Sequence, residues 1–149
     1  MTPWTLQRRI SRHLLAWSAL SVTGGALLLF GTPFWRGVGL QGLVWGGVDA
    51  AIAGFGLLSL RRKQRRPDAN APEVLARETR NLRRLLLINA GLDVLYVVGG
   101  GVVLRQFTTD FARGNGVGII VQGAFLLLFD TVYAFQTGRV AAKLAHEPR

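Results

Sequence analysis

The sequence predicts an all-α membrane protein: a four-transmembrane-helix bundle made of two helical hairpins, with both termini on the cytoplasmic side. Three observations predict it. Half of the residues are hydrophobic and they are gathered into four runs, not spread at the period of a half-buried strand or helix. Each run is near or above the length that crosses a hydrocarbon core of ~30 Å at 1.5 Å per residue. The basic residues that give the chain its net charge of +10 are crowded into alternate connections.

The first run, residues 14–30, follows Arg8, Arg9 and Arg12, the pattern of a secretory signal. No small-x-small cleavage site follows it, so a retained helix is the expectation. Gly31 and Pro33 end that helix, and Phe34 and Trp35 suit a water–lipid interface, as does Trp4. The second run, 38–60, holds one charged residue, Asp49, and stops at Arg61-Arg62-Lys63. A polar segment, 61–84, follows. Its first part, with Pro67 and Asn70, reads as a flexible linker, whereas good helix formers after Pro72 start the third helix before it reaches the bilayer. The third run is 85–104 and the fourth about 116–137, and the remainder is a basic helical tail. The organisation is therefore hairpin one 14–60, cytoplasmic linker 61–84, hairpin two 85–137 and cytoplasmic tail 138–149.

Charge fixes the orientation. The amino-terminal stub carries three Lys or Arg, the central linker nine and the tail three. The opposite side has only Arg36, Arg105 and Arg113, a bias that places both termini and the linker inside. The same distribution explains the net charge without nucleic acid, whose recognition would need a basic stripe interleaved with stacking aromatics. The lipid bilayer is the expected partner. The Arg61–Arg66 cluster is an ordinary inside flank, with anionic headgroups as a weaker second use.

The second and fourth helices share Q-G-x6-D-x3-A at a separation of 81: Gln41-Gly42 with Gln122-Gly123, Asp49 with Asp130, Ala53 with Ala134. The first and third align through Leu20/Leu95, Val22/Val97 and Gly24-Gly25/Gly99-Gly100. Both halves start and end inside, which makes this a parallel internal repeat about an axis along the membrane normal.

The candidate site is a set of buried polar groups. Asp49, Asp93 and Asp130 each lie inside a span, where an aspartate costs roughly 2.5–3.5 kcal/mol on insertion scales. Asp93 and Asp130 sit nine residues from Arg84 and Arg139, a similar depth, and Asp49 is somewhat deeper. Helical spacing aligns Gly42, Gly46, Asp49, Ala53 and Gly56 on one face of the second helix, Asn89, Asp93, Tyr96 and Gly100 on one face of the third, and Gly123, Asp130 and Ala134 on one face of the fourth. Asp49, Asp93, Asp130, Asn89 and Tyr96 are the ligand or ion candidates. Gly42, Gly46, Gly56, Gly100 and Gly123 are the helix-packing candidates. Two roles for the acids stay open. They are hydrogen-bonded glue, bonded to Asn89, Tyr96, Ser18, Tyr133 or each other, or they hold a proton, a cation or a small polar ligand.

Chemistry of other kinds has little to stand on. There is no cysteine, and His13 and His146 lie outside the apolar runs, so no cofactor, metal site or catalytic group is expected and an enzyme is the weaker reading. A non-catalytic accessory or scaffold subunit, packing through glycine-rich faces in a homo-oligomer or a larger membrane complex, is the alternative to a binding or transport-like role.

In its layout and repeat the chain resembles the small four-helix bacterial inner-membrane proteins whose function is uncharacterised. That likeness implies the inner (plasma) membrane, and sixteen arginines against two lysines fit a GC-rich bacterial genome. Small multidrug-resistance exporters carry a glutamate in their first helix, where this chain has no acid. Quinone-linked thiol oxidoreductases need cysteines. Neither activity is implied.

Overall fold

A computed structural model describes residues 1–146, with the side chain of His146 and residues 147–149 of the predicted tail outside the described residues. It is all helical: α1 (Pro3–Leu28), α2 (Pro33–Gln64), α3 (Pro72–Gln106) and α4 (Asp110–His146), with no strand among the described residues. The helices run up, down, up and down. Tight turns at 29–32 and 107–109 lie at one end, called here the turn end, and residues 65–71 lie at the other, the linker end.

Every helix is longer than its apolar run. α1 starts at Pro3 because Thr2 caps it, accepting a 3.3 Å hydrogen bond from the Thr5 amide while the Thr5 side chain reaches back, and because proline suits a first helical position. From there α1 is amphipathic, with Leu6, Ile10 and Leu14 buried and Arg8, Arg9 and Arg12 exposed. Trp4 is buried and donates a 3.2 Å hydrogen bond to the Ala69 carbonyl, so it pins α1 to the linker and is no interface anchor. α3 begins at Pro72, which leaves only 65–71 of the polar segment non-helical. Thr109 caps α4 through the Ala112 amide.

Three helices, α2, α3 and α4, are long and apolar enough to cross a membrane. α1 is not among them. Ser11, Ser18, Ser21, Thr23 and the Gly24-Gly25 pair dilute its apolar stretch, and its first half carries arginines. Between the basic ends the outward faces are rich in large apolar side chains: Phe55, Leu58, Leu85, Leu95, Val98, Leu128 and Phe135 are all exposed, more than a water-facing surface of this size usually shows.

Pairing is by hairpin. α1 packs along α2, α3 along α4, and α2 along α4, whereas α2 and α3 have no backbone contact. Three crossings need glycine. At the first, a Cβ on Gly42 would sit 2.8 Å from the Ser21 carbonyl oxygen and one on Gly25 would sit 2.9 Å from the Leu43 amide. At the second, Gly100 and Gly116 face each other across α3 and α4, each closer to the other's carbonyl than any side chain permits. At the third and closest, α2 on α4, a Cβ on Gly37 would strike the Phe111 carbonyl oxygen and one on Gly114 that of Phe34. Gly46 lies against Ser18 and Val22, and Gly123 against Tyr96 and Val97, so these faces are occupied within the chain. A core of Leu6, Ile10, Leu86, Tyr133, Ala134 and Val140 closes the linker end, and Leu14, Ala53 and Leu126 form a second cluster above it.

Gly42→Val is expected to destabilise the protein by about 1–3 kcal/mol in detergent unfolding, since the added carbons meet backbone. Gly47→Ala on the same helix, with nothing within 4 Å of its Cβ, should change stability by less than about 0.5 kcal/mol. Equal losses at the two positions would show that the crossing is not close-packed.

Candidate functional site

The gap between α2 and α3 is a cavity of about 550 Å³. α4 forms its back wall through Leu126, Phe129 and Asp130, and Ile10, Ser11 and Leu14 of α1 close it below. α2 contributes Asp49, Ala53 and Gly56, and α3 contributes Asn89, Asp93 and Tyr96. The five ligand candidates and Gly56 therefore line one space. They meet because Asp49 and Asp130 occupy matching places on the paired α2 and α4, and Asn89, Asp93 and Tyr96 recur at one-turn steps on the α3 face beside them.

The acids are deeply buried, Asp49 at 2 % exposure, Asp93 at 4 % and Asp130 at 6 %. All three line the one cavity, together with Asn89. Among the described residues, Oδ2 of Asp49 and Oδ2 of Asp93 have no hydrogen-bond partner. Two of the partners that would make these acids glue, Ser18 and Tyr133, are engaged elsewhere. The Ser18 hydroxyl donates 2.6 Å to the Gly46 carbonyl, and the Tyr133 hydroxyl meets His13 Nδ1 at 2.6 Å. The acids are not arranged as a metal site: no group of three or more His, Asp or Glu side chains among the described residues converges closely enough to hold a metal ion.

Both ends of the gap are bridged by side chains. At the turn end, Trp45 of α2 meets Tyr96 of α3 edge to face, ring centroids 4.6 Å apart. At the linker end, Lys63 of α2 forms an ion pair with Glu78 of α3. Between these bridges the cavity opens sideways, past Val48, Ile52 and Phe55 on one rim and Leu85 and Leu92 on the other, all exposed.

The corresponding space between α1 and α4 is filled. Trp17 stacks on Phe125 at 3.6 Å between centroids and donates a 2.9 Å hydrogen bond to Gln122, which in turn donates to Ser21. Phe129, Tyr133 and His13 continue the plug towards the linker end. At the turn end Gln41 bonds Asn115 across α2 and α4 at 2.6 Å.

Sequence reasoning reads Trp45 as a packing residue and Lys63 as part of the basic flank, and it passes over Glu78 and the His13–Tyr133 pair. Trp45 lies one turn before Asp49 on the polar face, which is a usable signal. Glu78 carries none, since Asp68 and Glu73 share its arginine-rich stretch and its burial belongs to the fold. The His13–Tyr133 contact spans 120 positions and has no local signature.

The fold and the cavity together define an all-helical protein with membrane-compatible helices around an acidic, laterally open groove. The chain belongs to DUF6992, a family of unknown function, whose model matches residues 13–131 and so takes in all three aspartates. No curated protein and no solved structure matches it.

If the unpartnered acids serve a site and not the fold, they cost stability. Asp49→Leu and Asp93→Leu are then expected to raise the unfolding free energy in detergent by about 1–3 kcal/mol. A loss of stability in both variants would identify the carboxyls as structural.

Proposed function

We propose that the protein is a multi-pass membrane protein of the cell's inner (plasma) membrane that binds a proton, a cation or a small polar ligand at Asp49, Asp93 and Asp130, in a transport-like role. The observation that carries this reading is the pair of buried, unpartnered carboxylate oxygens on acids that line one cavity from two helices whose backbones do not touch. A group left without a partner away from water costs free energy, and such a cost in a natural protein points to a function. Asn89 and Tyr96 complete the polar lining.

In this reading all four helices cross the bilayer. Of the residues that lower the hydropathy of α1, Ser18 bonds the Gly46 carbonyl, Ser21 accepts from Gln122 and Gly25 packs on α2, while Thr23 is exposed. Both termini and the linker are cytoplasmic, as the arginine-rich linker end requires. A duplicated hairpin is supported by one pair of contacts. Gly42 packs on Ser21 in the first hairpin and Gly123 on Tyr96 in the second, positions related by the same separations of 81 and 75 that align the sequence halves.

The chain has no cysteine, so a single introduced one reports its own side of the membrane. Thr108→Cys should react with an impermeant maleimide in intact cells, and Arg66→Cys only after permeabilisation; the reverse pattern inverts the topology. The site itself is read by infrared difference spectroscopy of the carboxyl bands across pH. Bands that titrate, shift with added cations and disappear singly in Asp49→Asn, Asp93→Asn and Asp130→Asn are expected. Carboxyls silent to pH and to cations would leave the groove without the proposed role.

A further inference from the structure

The geometry points to a small organic cation with an apolar body as what the groove binds, entering sideways from the lipid between α2 and α3. The inference rests on the acidic groove being a binding site, and it names the class of ligand.

Size is the first argument. A cavity of about 550 Å³ lies in the range of pockets that take organic molecules and is far larger than a bare ion needs. The carboxyls do not converge as a metal cage, so a charge carried on a larger body fits the arrangement better than an ion stripped of its water. Charge is the second. Of the ionisable side chains lining the space, three are Asp49, Asp93 and Asp130, and the one basic group, Lys63, is already held by Glu78. A positive centre in the groove beside Asp49, Asp93 and Asp130 would offset acidic charge that no free basic group of the lining balances.

The walls are the third argument. Val48, Ile52, Phe55, Leu85 and Leu92 give the groove an apolar rim, and the Trp45–Tyr96 pair adds aromatic faces that attract cations. The route follows from the same residues. The aromatic pair and the Lys63–Glu78 ion pair obstruct the two ends, while the side facing lipid has no bridging contact and its rim residue Phe55 is 72 % exposed. A ligand using that route must be soluble in hydrocarbon over most of its surface and carry its charge at one point.

The test uses the full chain in lipid nanodiscs and three probes, with binding counted above protein-free nanodiscs. Tetraphenylphosphonium has the charge and the apolar body. Tetraphenylborate has the same shape and the opposite charge, and tetramethylammonium has the charge without the bulk. Saturable binding of tetraphenylphosphonium is expected, with no saturable binding of tetraphenylborate and at least tenfold weaker binding of tetramethylammonium. Asp49→Asn and Asp93→Asn should each weaken phosphonium binding at least tenfold. Ile52→Trp places bulk in the groove from an exposed position that the core does not use, so it should fold and lose binding even where the aspartate variants do not fold. Equal binding of the borate, or unchanged phosphonium binding in Ile52→Trp, overturns the proposal. If phosphonium does not bind while the carboxyl bands still respond to tetramethylammonium or potassium, the ligand class is wrong and the acidic site stands. Silence in both measurements removes both.

Discussion

Helices that associate within hydrocarbon gain nothing from hiding apolar surface, because lipid is as apolar as leucine, so they must approach closely enough for backbone and small side chains to pack. Three of the helices are long and apolar enough to face that constraint, and close approach organises the whole chain. Gly25 and Gly42 bring α1 onto α2, and Gly100 and Gly116 bring α3 onto α4, at separations where any other residue would strike a carbonyl oxygen. Each close crossing consumes one helix face. The four helices thus form two tight pairs that a third glycine crossing, at Gly37 and Gly114, joins along α2 and α4, and the leftover faces of α2 and α3 look at each other across a gap. The groove is what remains after the glycines have been used.

The two gaps between the hairpins have opposite fates. On the α1–α4 side, Trp17, Phe125, Phe129 and Tyr133 fill the space with rings, and Gln122 and Ser21 satisfy each other there. On the α2–α3 side, large side chains sit on the rim and the interior is left to carboxyls. Under the alignment of the two halves, Ser18 stands where Asp93 does, so a serine whose hydroxyl bonds a backbone carbonyl takes the place of an acid with an oxygen to spare. Whatever the ancestry of the halves, packing has been completed on one side and withheld on the other.

Much of this is legible in the sequence, for identifiable reasons. Four helices follow from blocked hydrophobicity, and the convergence of Asp49, Asp93, Asp130, Asn89 and Tyr96 follows from one-turn spacing combined with similar depth, both of which are local properties. Helix ends are less legible. α1 extends back to Pro3 because of a threonine cap and an amphipathic first half that a search for apolar runs ignores. The same search counts α1 as apolar without asking which way its serines point. Trp4 misleads because its indole is satisfied by a carbonyl 65 positions away, and the Trp45–Tyr96 and Lys63–Glu78 bridges depend on how α2 and α3 are splayed, a long-range outcome that spacing within one helix does not encode.

The two bridges across the groove differ in kind, and the difference has a mechanical consequence. At the linker end, α2 and α3 are joined covalently through 65–71, tied by the Lys63–Glu78 ion pair, and held over a core that Trp4 fastens to the linker. At the turn end they share only the edge of one ring against another. Both helices are also fastened to α4 at the turn end, α2 by Gly37, Gly114 and the Gln41–Asn115 hydrogen bond and α3 by the Gly100–Gly116 crossing, so a ring that slides away widens the mouth of the groove while the helix ends stay in place. Parting the base instead breaks a charge pair and disturbs buried core, which leaves Trp45 and Tyr96, about one turn beyond the aspartates, as the lightest contact across the groove.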